Sequence, residues 1–316
     1  MTNPISRRSL LASTLAAGAG LTVGAAQPAA AAESRPESEP FGYCLNMGTI
    51  RGQELSLVEE IDTASKAGYD AIEPWLRKID AYVQEGGSLK DLRKRISDSG
   101  LKVVSAIAFS QWIVDDDAKR AEAMEEAKRN MDALAQIGGT HIAAPPAGAT
   151  QQGDLDLLKA AERYRALLEL GDQMGVVPQV EVWGFSQSLS RLGEAVFVAI
   201  ESGHPQACLL PDVYHVYKGG SDFEGLKMVA GNAMHVFHAN DYPADPPRAT
   251  ISDKHRVYPG DGIAPLTEIY RTIYNAGFRG MLSLELFNPE YYQQDALVVA
   301  KTGLAKMRES VQRAFS

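Results

Sequence analysis

The sequence predicts a single (β/α)₈ domain, the TIM-barrel class of α/β fold, and three observations support this prediction. From Phe41 onward, eight short apolar runs typical of strands alternate with longer segments of helical periodicity. The helical segments repeatedly end in a glycine just before the next strand, as helix C-caps do. Removal of a 32-residue leader would leave 284 residues (316 − 32), which suits one barrel of about 250 residues.

The first four units follow one another without a long break. Strands are predicted at residues 41–47, 69–75, 101–109 and 140–145. Helices are predicted at residues 56–67, 88–99, 117–137 and 155–174. Each of these helices is followed by a glycine, namely Gly68, Gly100, Gly138 and Gly175. This order of elements is typical of parallel strands joined by right-handed helical crossovers.

The second four units complete the predicted barrel. Strands are predicted at residues 177–182, 208–212, 234–239 and 280–287. Helices are predicted at residues 188–202, 223–230 and 265–275, and a closing helix follows the last strand and runs to the C-terminus. No G-x-G-x-x-G sequence follows the first strand, so a doubly wound open sheet is the weaker alternative. The connection 241–264 is long, polar and Pro-rich, which predicts a segment that covers substrate rather than a disordered one.

The N-terminus resembles a twin-arginine signal peptide over residues 1–32. Arg7 and Arg8 precede a weakly apolar stretch, and a run of small residues ends at Ala32. A membrane anchor is the alternative, but the apolar stretch is short and interrupted for a span of about 20 residues. We therefore expect cleavage, export to the periplasm and no stable membrane insertion. Residues 33–40 are expected to form a flexible lead-in, and residues 41–316 the catalytic domain.

The charge and the cysteine content of the chain limit the classes of partner and the cross-links that we expect. The formal net charge of −9 becomes −11 (−9 − 2) once the two leader arginines are removed, and no Lys/Arg-rich run occurs elsewhere. Because an acidic surface is repelled by a polyphosphate, nucleic acid is excluded as a partner. The two cysteines, Cys44 and Cys208, fall on distant strands and are expected to be buried free thiols. A homo-oligomer is compatible with the sequence, which does not determine oligomeric state.

Four predicted strands each end in a side chain that can bind a metal: Glu181, Asp212, His238 and Glu285. A lone acid at a strand end is usually a helix cap or an ion-pair partner. Here the acids interrupt apolar runs such as V-E-V and L-E-L, where an unpaired charge is costly. The carboxyl ends of barrel strands share one face, so the four predict a site for one divalent ion. Three carboxylates and one imidazole favour Mn²⁺, Co²⁺ or Mg²⁺ over Zn²⁺.

From Phe41 to the C-terminus, the chain resembles the xylose-isomerase-like TIM-barrel superfamily of sugar isomerases and epimerases. That superfamily places metal-binding Glu, Asp, His and Glu on strands 5 to 8, in the order found here. The resemblance of D-V-Y-H implies a substrate-binding role for His215, and that of R-V-Y-P-G-D-G implies one for Arg256. It also implies a substrate-binding role for Glu73, the acid that closes strand 2.

This resemblance implies proton transfer by Glu181 and Glu285 on a carbohydrate. A metal ion chelated by a carbonyl and its neighbouring hydroxyl stabilises an enediolate, and the two glutamates remove and return the proton. The leading hypothesis is an isomerase or epimerase of an unphosphorylated sugar or keto-sugar. A lyase or dehydratase acting on a 3-keto-sugar or keto-polyol would use the same site. A phosphodiesterase resembling endonuclease IV and a non-catalytic carbohydrate-binding barrel are weaker alternatives.

Three tryptophans follow predicted strands 2, 3 and 5. Trp183 stands where many relatives have a polar residue, and Trp75 and Trp112 follow the other two strands. They predict either apolar platforms for a sugar ring or ordinary packing between loops and barrel, and the sequence does not decide between the two.

Overall fold

In the computed structural model, which describes residues 39–316, eight short parallel strands form the wall of a barrel. The strands are β1 (Gly42–Asn46), β2 (Ala71–Glu73), β3 (Lys102–Val103), β4 (His141–Ala144), β5 (Val177–Glu181), β6 (Leu209–Leu210), β7 (Val236–Ala239) and β8 (Met281–Leu284). The predicted TIM barrel is therefore confirmed. The predicted leader 1–32, and residues 33–38 of the lead-in, lie outside the described residues.

The strands form two hydrogen-bonded groups, in the order β3-β2-β1-β8-β7 and β4-β5-β6. Short backbone contacts join the groups at both seams. Ala143 N–H donates to the Ala106 carbonyl beyond β3 at 2.9 Å, and His238 N–H in β7 donates to the Pro211 carbonyl just after β6 at 2.9 Å. These contacts bring the carboxyl ends of β5 to β8 to the same face.

The helices are α1 (Leu57–Ala67), α2 (Leu76–Gln84), α3 (Leu89–Asp98), α4 (Asp117–Gln136), α5 (Leu157–Met174), α6 (Leu192–Glu201), α7 (Val213–Lys218), α8 (Leu266–Asn275), α9 (Pro289–Tyr292) and α10 (Ala296–Phe315). The sequence pattern missed α2, α7 and α9, which are short and begin close to strand or loop ends. It was wrong about residues 223–230, where the chain forms only a 3₁₀ helix, Phe223–Met228. Gly225 lies inside that segment and disfavours a longer α-helix.

Alternation along the strands explains how acids fit inside apolar runs. Val180 on β5, and Leu284 on β8, belong to the hydrophobic core, whereas the side chains between such residues are polar. Those polar groups bond across the barrel: Gln179 donates to Ser105 at 3.2 Å, and Ser283 donates to Glu73 at 2.8 Å. The two-residue period of a strand thus gives the barrel interior a polar lining near its carboxyl end.

Cys44 and Cys208 are both buried free thiols, as predicted. No helix within residues 39–316 is long and apolar enough to cross a membrane.

The buried acid Glu60 makes stability depend on pH. It is 1% exposed on α1, and its ion pair with Lys78 of α2 is 3.3 Å long. Burial raises the pKa of Glu60 from 4.5 to about 7, against the opposing charge of Lys78. The folded state therefore holds a proton that the unfolded state releases between these values, so stability is lost as the pH rises towards and through 7.

We expect Glu60→Gln to raise the free energy of unfolding at pH 8 by about 3 kcal/mol, and to change it little at pH 4. Urea unfolding at the two pH values measures this difference. The exposed Glu85→Gln serves as the control and should show no pH-dependent gain. Equal stabilisation at both pH values would contradict the proposed titration of Glu60.

Candidate active site

A cavity of about 180 Å³ lies at the carboxyl ends of the strands, the face on which TIM barrels carry their active sites. β5 ends in Glu181, and Glu285 directly follows β8. Six polar and six apolar residues line the cavity: Arg51, Glu181, His215, Asp253, Arg256 and Glu285, and Trp75, Ile107, Phe109, Trp183, Phe185 and Phe287. Drug-sized ligands occupy pockets of about 300–1,000 Å³, so this enclosed space suits a small molecule.

Glu181, His238 and Glu285 converge beneath this cavity. Each offers one ligand atom, and the three atoms lie within 4.8 Å of one another. All three side chains are buried, and His238 Nδ1 is 3.2 Å from a Glu285 carboxylate oxygen. Two carboxylates and an imidazole at this separation form a donor set suited to a divalent cation.

The orientation of His238 is fixed from behind by Glu73. His238 Nε2 lies 3.0 Å from Glu73 Oε2, which also accepts hydrogen bonds from Asn46 and Ser283 at 2.9 and 2.8 Å. Within residues 39–316, the buried His238 Nδ1 makes no hydrogen bond of good geometry, and the Glu285 oxygen at 3.2 Å is close to it. Burial lowers the pKa of His238, but the charges of Glu285 and Glu73 outweigh it and raise the pKa above its usual value, so a metal ion at Nδ1 would take the place of a proton. The contact of Nε2 with Glu73 orients the ring for that role.

Asp212 lies beside this group of three. Its Oδ2 atom is 3.7 Å from His238 Nδ1 and accepts hydrogen bonds from Arg256 at 2.8 Å and Asn240 at 2.9 Å. Its Oδ1 atom accepts from the backbone N–H of His215 at 2.7 Å and caps α7. The structure thus brings all four residues predicted as ligands together, with Asp212 also serving as a helix cap.

Arg256 is a fully buried cation between the carboxylates. One guanidinium nitrogen donates to Asp212 at 2.8 Å and to Glu285 at 2.9 Å. The other donates to His215 Nε2 at 2.9 Å and to Asp253 at 2.5 Å. Arg256 and His215, both predicted to bind substrate, therefore form one connected part of the cavity wall.

The long connection 241–264 holds Arg256 in place. Asp241 accepts four backbone N–H bonds, from Tyr242, Gly260, Gly262 and Ala264, at 2.7–3.1 Å. The segment contributes Asp253 and Arg256 to the cavity lining. It therefore forms a wall of the cavity that its own hydrogen bonds fix.

The two glutamates have different electrostatic surroundings. Burial raises the pKa of Glu181 above its usual value, with the charge of His238 opposing the shift and that of Glu285 adding to it. Burial acts in the same direction on Glu285, but the charges of His238 and Arg256 hold its pKa below the usual value. Burial, together with the nearby charge of Arg256, lowers the pKa of His215 to about 4, so this imidazole is neutral at pH 7.

The structure separates the three tryptophans by their positions. Trp75 and Trp183 line the cavity. Trp112 does not: its indole donates to the Pro145 carbonyl at 2.8 Å, and its ring packs against Tyr164. Trp112 is therefore a packing residue.

Glu73 was expected to bind substrate, a role that would require it to line the cavity, and it does not. It is fully buried behind His238 and is absent from the cavity lining, so it is a positioning residue. Sequence reasoning missed Asn46, whose amide donates to both Glu73 and Glu285 at 2.9 and 3.0 Å. It also missed the cavity residues Phe109 and Phe185, since lone aromatic residues in loops carry no recognisable pattern.

We expect Glu73→Gln to weaken metal binding by about 10- to 100-fold, because the neutral amide polarises the His238 ring less than a carboxylate does. Titration against a competing chelator measures the change in affinity. The exposed Glu268→Gln on α8 is the control and should bind metal normally. Unchanged affinity in Glu73→Gln would contradict its positioning role.

The fold and the site define a TIM-barrel protein with a carboxylate–histidine group that can hold a divalent ion. The chain belongs to the xylose isomerase-like TIM barrel family, whose model matches residues 61–310. This match confirms the superfamily indicated by the sequence motifs.

Individual relatives cover most of the chain at low identity. Inosose isomerase of Bacillus velezensis is 26% identical over 276 residues, which are 86% of this chain and 98% of that protein. The 3-dehydroshikimate dehydratase of Pseudomonas aeruginosa is 23% identical over 267 residues, 82% of this chain and 41% of that protein.

Two solved structures share the fold. The IolI protein, crystallised with a bound zinc atom, gives a TM-score of 0.81 at 24% identity and covers 87% of this chain and 100% of its own. L-ribulose 3-epimerase gives a TM-score of 0.70 at 19% identity, with coverage of 87% and 95%.

Proposed function

We propose that the protein is a divalent-metal-dependent isomerase or epimerase of an unphosphorylated sugar or keto-sugar, acting through an enediolate. One observation carries the proposal: two buried glutamates, Glu181 and Glu285, converge with His238 at the base of a small cavity. Proton abstraction next to a carbonyl needs a base at the carbon and positive charge at the oxygens. This site offers a carboxylate as the base and the ligands for a divalent cation that would supply the positive charge.

Glu181, His238, Glu285 and the adjacent Asp212 would hold the ion, and the position of His238 Nδ1 among the carboxylates supports that assignment. When bound, the ion supplies positive charge that stabilises the enediolate oxygens. The carboxylate-rich donor set favours Mn²⁺, Co²⁺ or Mg²⁺. The bound zinc in the IolI structure makes Zn²⁺ an alternative. Elemental analysis of the purified protein distinguishes these ions.

The two glutamates have different freedom to move a proton. Glu285 accepts hydrogen bonds from Asn46 at 3.0 Å and Arg256 at 2.9 Å, which occupy both of its oxygens. Glu181 has one side-chain hydrogen bond, from Trp183, and no ion pair with an arginine is found for it within residues 39–316. Glu181 is therefore the better placed to take the first proton, and Glu285 would return it. His215 and Arg256 lie on the wall beside Glu285, where they can hold the substrate oxygens.

The relatives support proton transfer on polyhydroxy carbonyl compounds. Inosose isomerase and L-ribulose 3-epimerase carry that chemistry in their names. The 3-dehydroshikimate dehydratase favours a second candidate, a lyase or dehydratase on a 3-keto-sugar or keto-polyol. Both reactions begin with the same proton abstraction and differ in whether a β-oxygen then leaves.

Incubation of the Mn²⁺-loaded protein with a panel of keto-sugars in D₂O tests the proposal. Deuterium incorporated at carbon without elimination supports the isomerase or epimerase, and an unsaturated product supports the lyase. A panel that shows neither exchange nor elimination with any sugar would contradict both.

We further propose that the protein is exported to the periplasm by the twin-arginine route, on the basis of Arg7, Arg8 and the small residues up to Ala32. Fractionation of cells expressing the full chain and its Arg7→Lys/Arg8→Lys variant tests this localisation. Equal cytoplasmic retention of both proteins would contradict it.

A further inference from the structure

Four aromatic side chains form a continuous strip along one side of the cavity. We call Trp75, Phe109, Trp183 and Phe185 the aromatic strip. Their ring centroids are separated by 5.3 Å from Trp75 to Phe109, 6.0 Å from Phe109 to Trp183 and 5.1 Å from Trp183 to Phe185. All four line the cavity, so the strip is a continuous apolar surface connected to the site.

The inner end of the strip is tied to the catalytic group. The Trp75 indole donates to Asn46 at 3.2 Å, and Asn46 donates to Glu285 at 3.0 Å. Trp183 follows Glu181 by two residues on the same segment. A ligand that reaches Glu181 and Glu285 is therefore next to the first rings of the strip.

The outer part of the strip is left in water. Phe109 is 42% exposed and Phe185 is 44% exposed, although both touch other aromatic rings. Adjacent large apolar side chains held at a cavity mouth commonly mark a binding surface. Because these two rings are the most exposed members of the strip, a ligand that reaches the glutamates and also covers them must extend outward from the reacting atoms.

We propose that the substrate is a glycoside whose second ring packs against the aromatic strip while its first ring reacts at Glu181 and Glu285. This inference rests on the proposed function and specifies its substrate class. Neighbouring rings of the strip are tilted by 64°, 50° and 32°, so the strip offers a concave apolar surface of ring faces and edges rather than polar groups. An aromatic aglycone, or the apolar face of a second sugar, matches that surface.

Equilibrium binding of non-reacting glucosides to the metal-loaded protein tests the proposal. Phenyl β-D-glucopyranoside and methyl β-cellobioside each carry a second ring, and methyl β-D-glucopyranoside does not. Two of the three tryptophans of the chain belong to the strip, so intrinsic fluorescence reports occupancy directly. We expect a second ring to tighten binding by about three- to tenfold.

The Phe109→Ala/Phe185→Ala variant should lose this advantage and retain the affinity for the methyl glucoside. Phe197→Ala on α6 is the matched control, because Phe197 is 36% exposed and does not line the cavity. Tighter binding of the phenyl glucoside than of methyl β-cellobioside assigns an aromatic aglycone, and the reverse order assigns a sugar. The proposal is overturned if neither ligand binds more tightly than the methyl glucoside, or if the advantage survives in the double variant. Because no turnover is measured, failure of the proposed catalysis gives a separate result.

Discussion

Glu181→Gln is expected to keep the barrel folded and to slow carbon-bound proton exchange by at least about 100-fold, since a general base contributes roughly 10²- to 10⁴-fold to such steps. The amide oxygen of glutamine can still face a cation but cannot accept the proton. Glu285 is held by Asn46 and Arg256, whereas Glu181 has a hydrogen bond from Trp183 that the amide oxygen of glutamine can also accept. Exchange in D₂O, followed by NMR with the keto-sugar that the wild type exchanges, measures the loss.

Glu201→Gln at the exposed end of α6 provides the control for this experiment and should exchange at the wild-type rate. Metal content measured on the same samples separates a lost base from a lost ion. Exchange by Glu181→Gln within about twofold of wild type would assign the base to another residue.

His238→Ala is expected to remove the metal, with elemental analysis falling from one ion per chain to background. The substitution removes the Nδ1 atom that faces the carboxylates, and with it the one nitrogen ligand of the group of three. Asp212→Asn is expected to weaken binding by about 10- to 100-fold, because it removes a charge beside the group of three. Asparagine keeps an oxygen that can cap α7, so the helix is preserved.

Asp222→Asn is the matched control for Asp212→Asn. Asp222 also caps a helix, by accepting from Glu224 N–H at 2.9 Å, but it is exposed and lies away from the cavity. Full metal content in the Asp212→Asn variant would show that Asp212 is only a cap. Wild-type protein that contains no metal would contradict the metal-dependent function as a whole.

The sequence was most informative where the chain alternates. A charged residue inside V-E-V or L-E-L must face the barrel interior if its neighbours face the helices, which is how Glu181 and Glu285 are placed. Strand order then brought four distant residues together. The sequence could not show that Glu73 lies behind His238, because that depends on which side chain reaches the cavity mouth in three dimensions.

The side chains of irregular segments could not be placed from the sequence, for a different physical reason. Phe109 and Phe185 lie in loops, where no period relates one side chain to the next. The 3₁₀ helix Phe223–Met228 has a helix-like composition, yet it contains Gly225 and ends at Val229, whose backbone is extended. Local pattern therefore located the ligands on the strands but missed the apolar side of the cavity.

The anchoring by Asp241 divides the long connection into a fixed part and an exposed part. Its four backbone bonds gather the far end of the segment, at Gly260, Gly262 and Ala264, and a backbone pair between Asp241 and Val257 fixes the chain beside Arg256. Residues 244–250 lie between these anchors and are largely exposed. That stretch can change in length and composition while the Arg256 guanidinium keeps its position. The exposed edge of the cavity can therefore vary without a change in the carboxylate–histidine group.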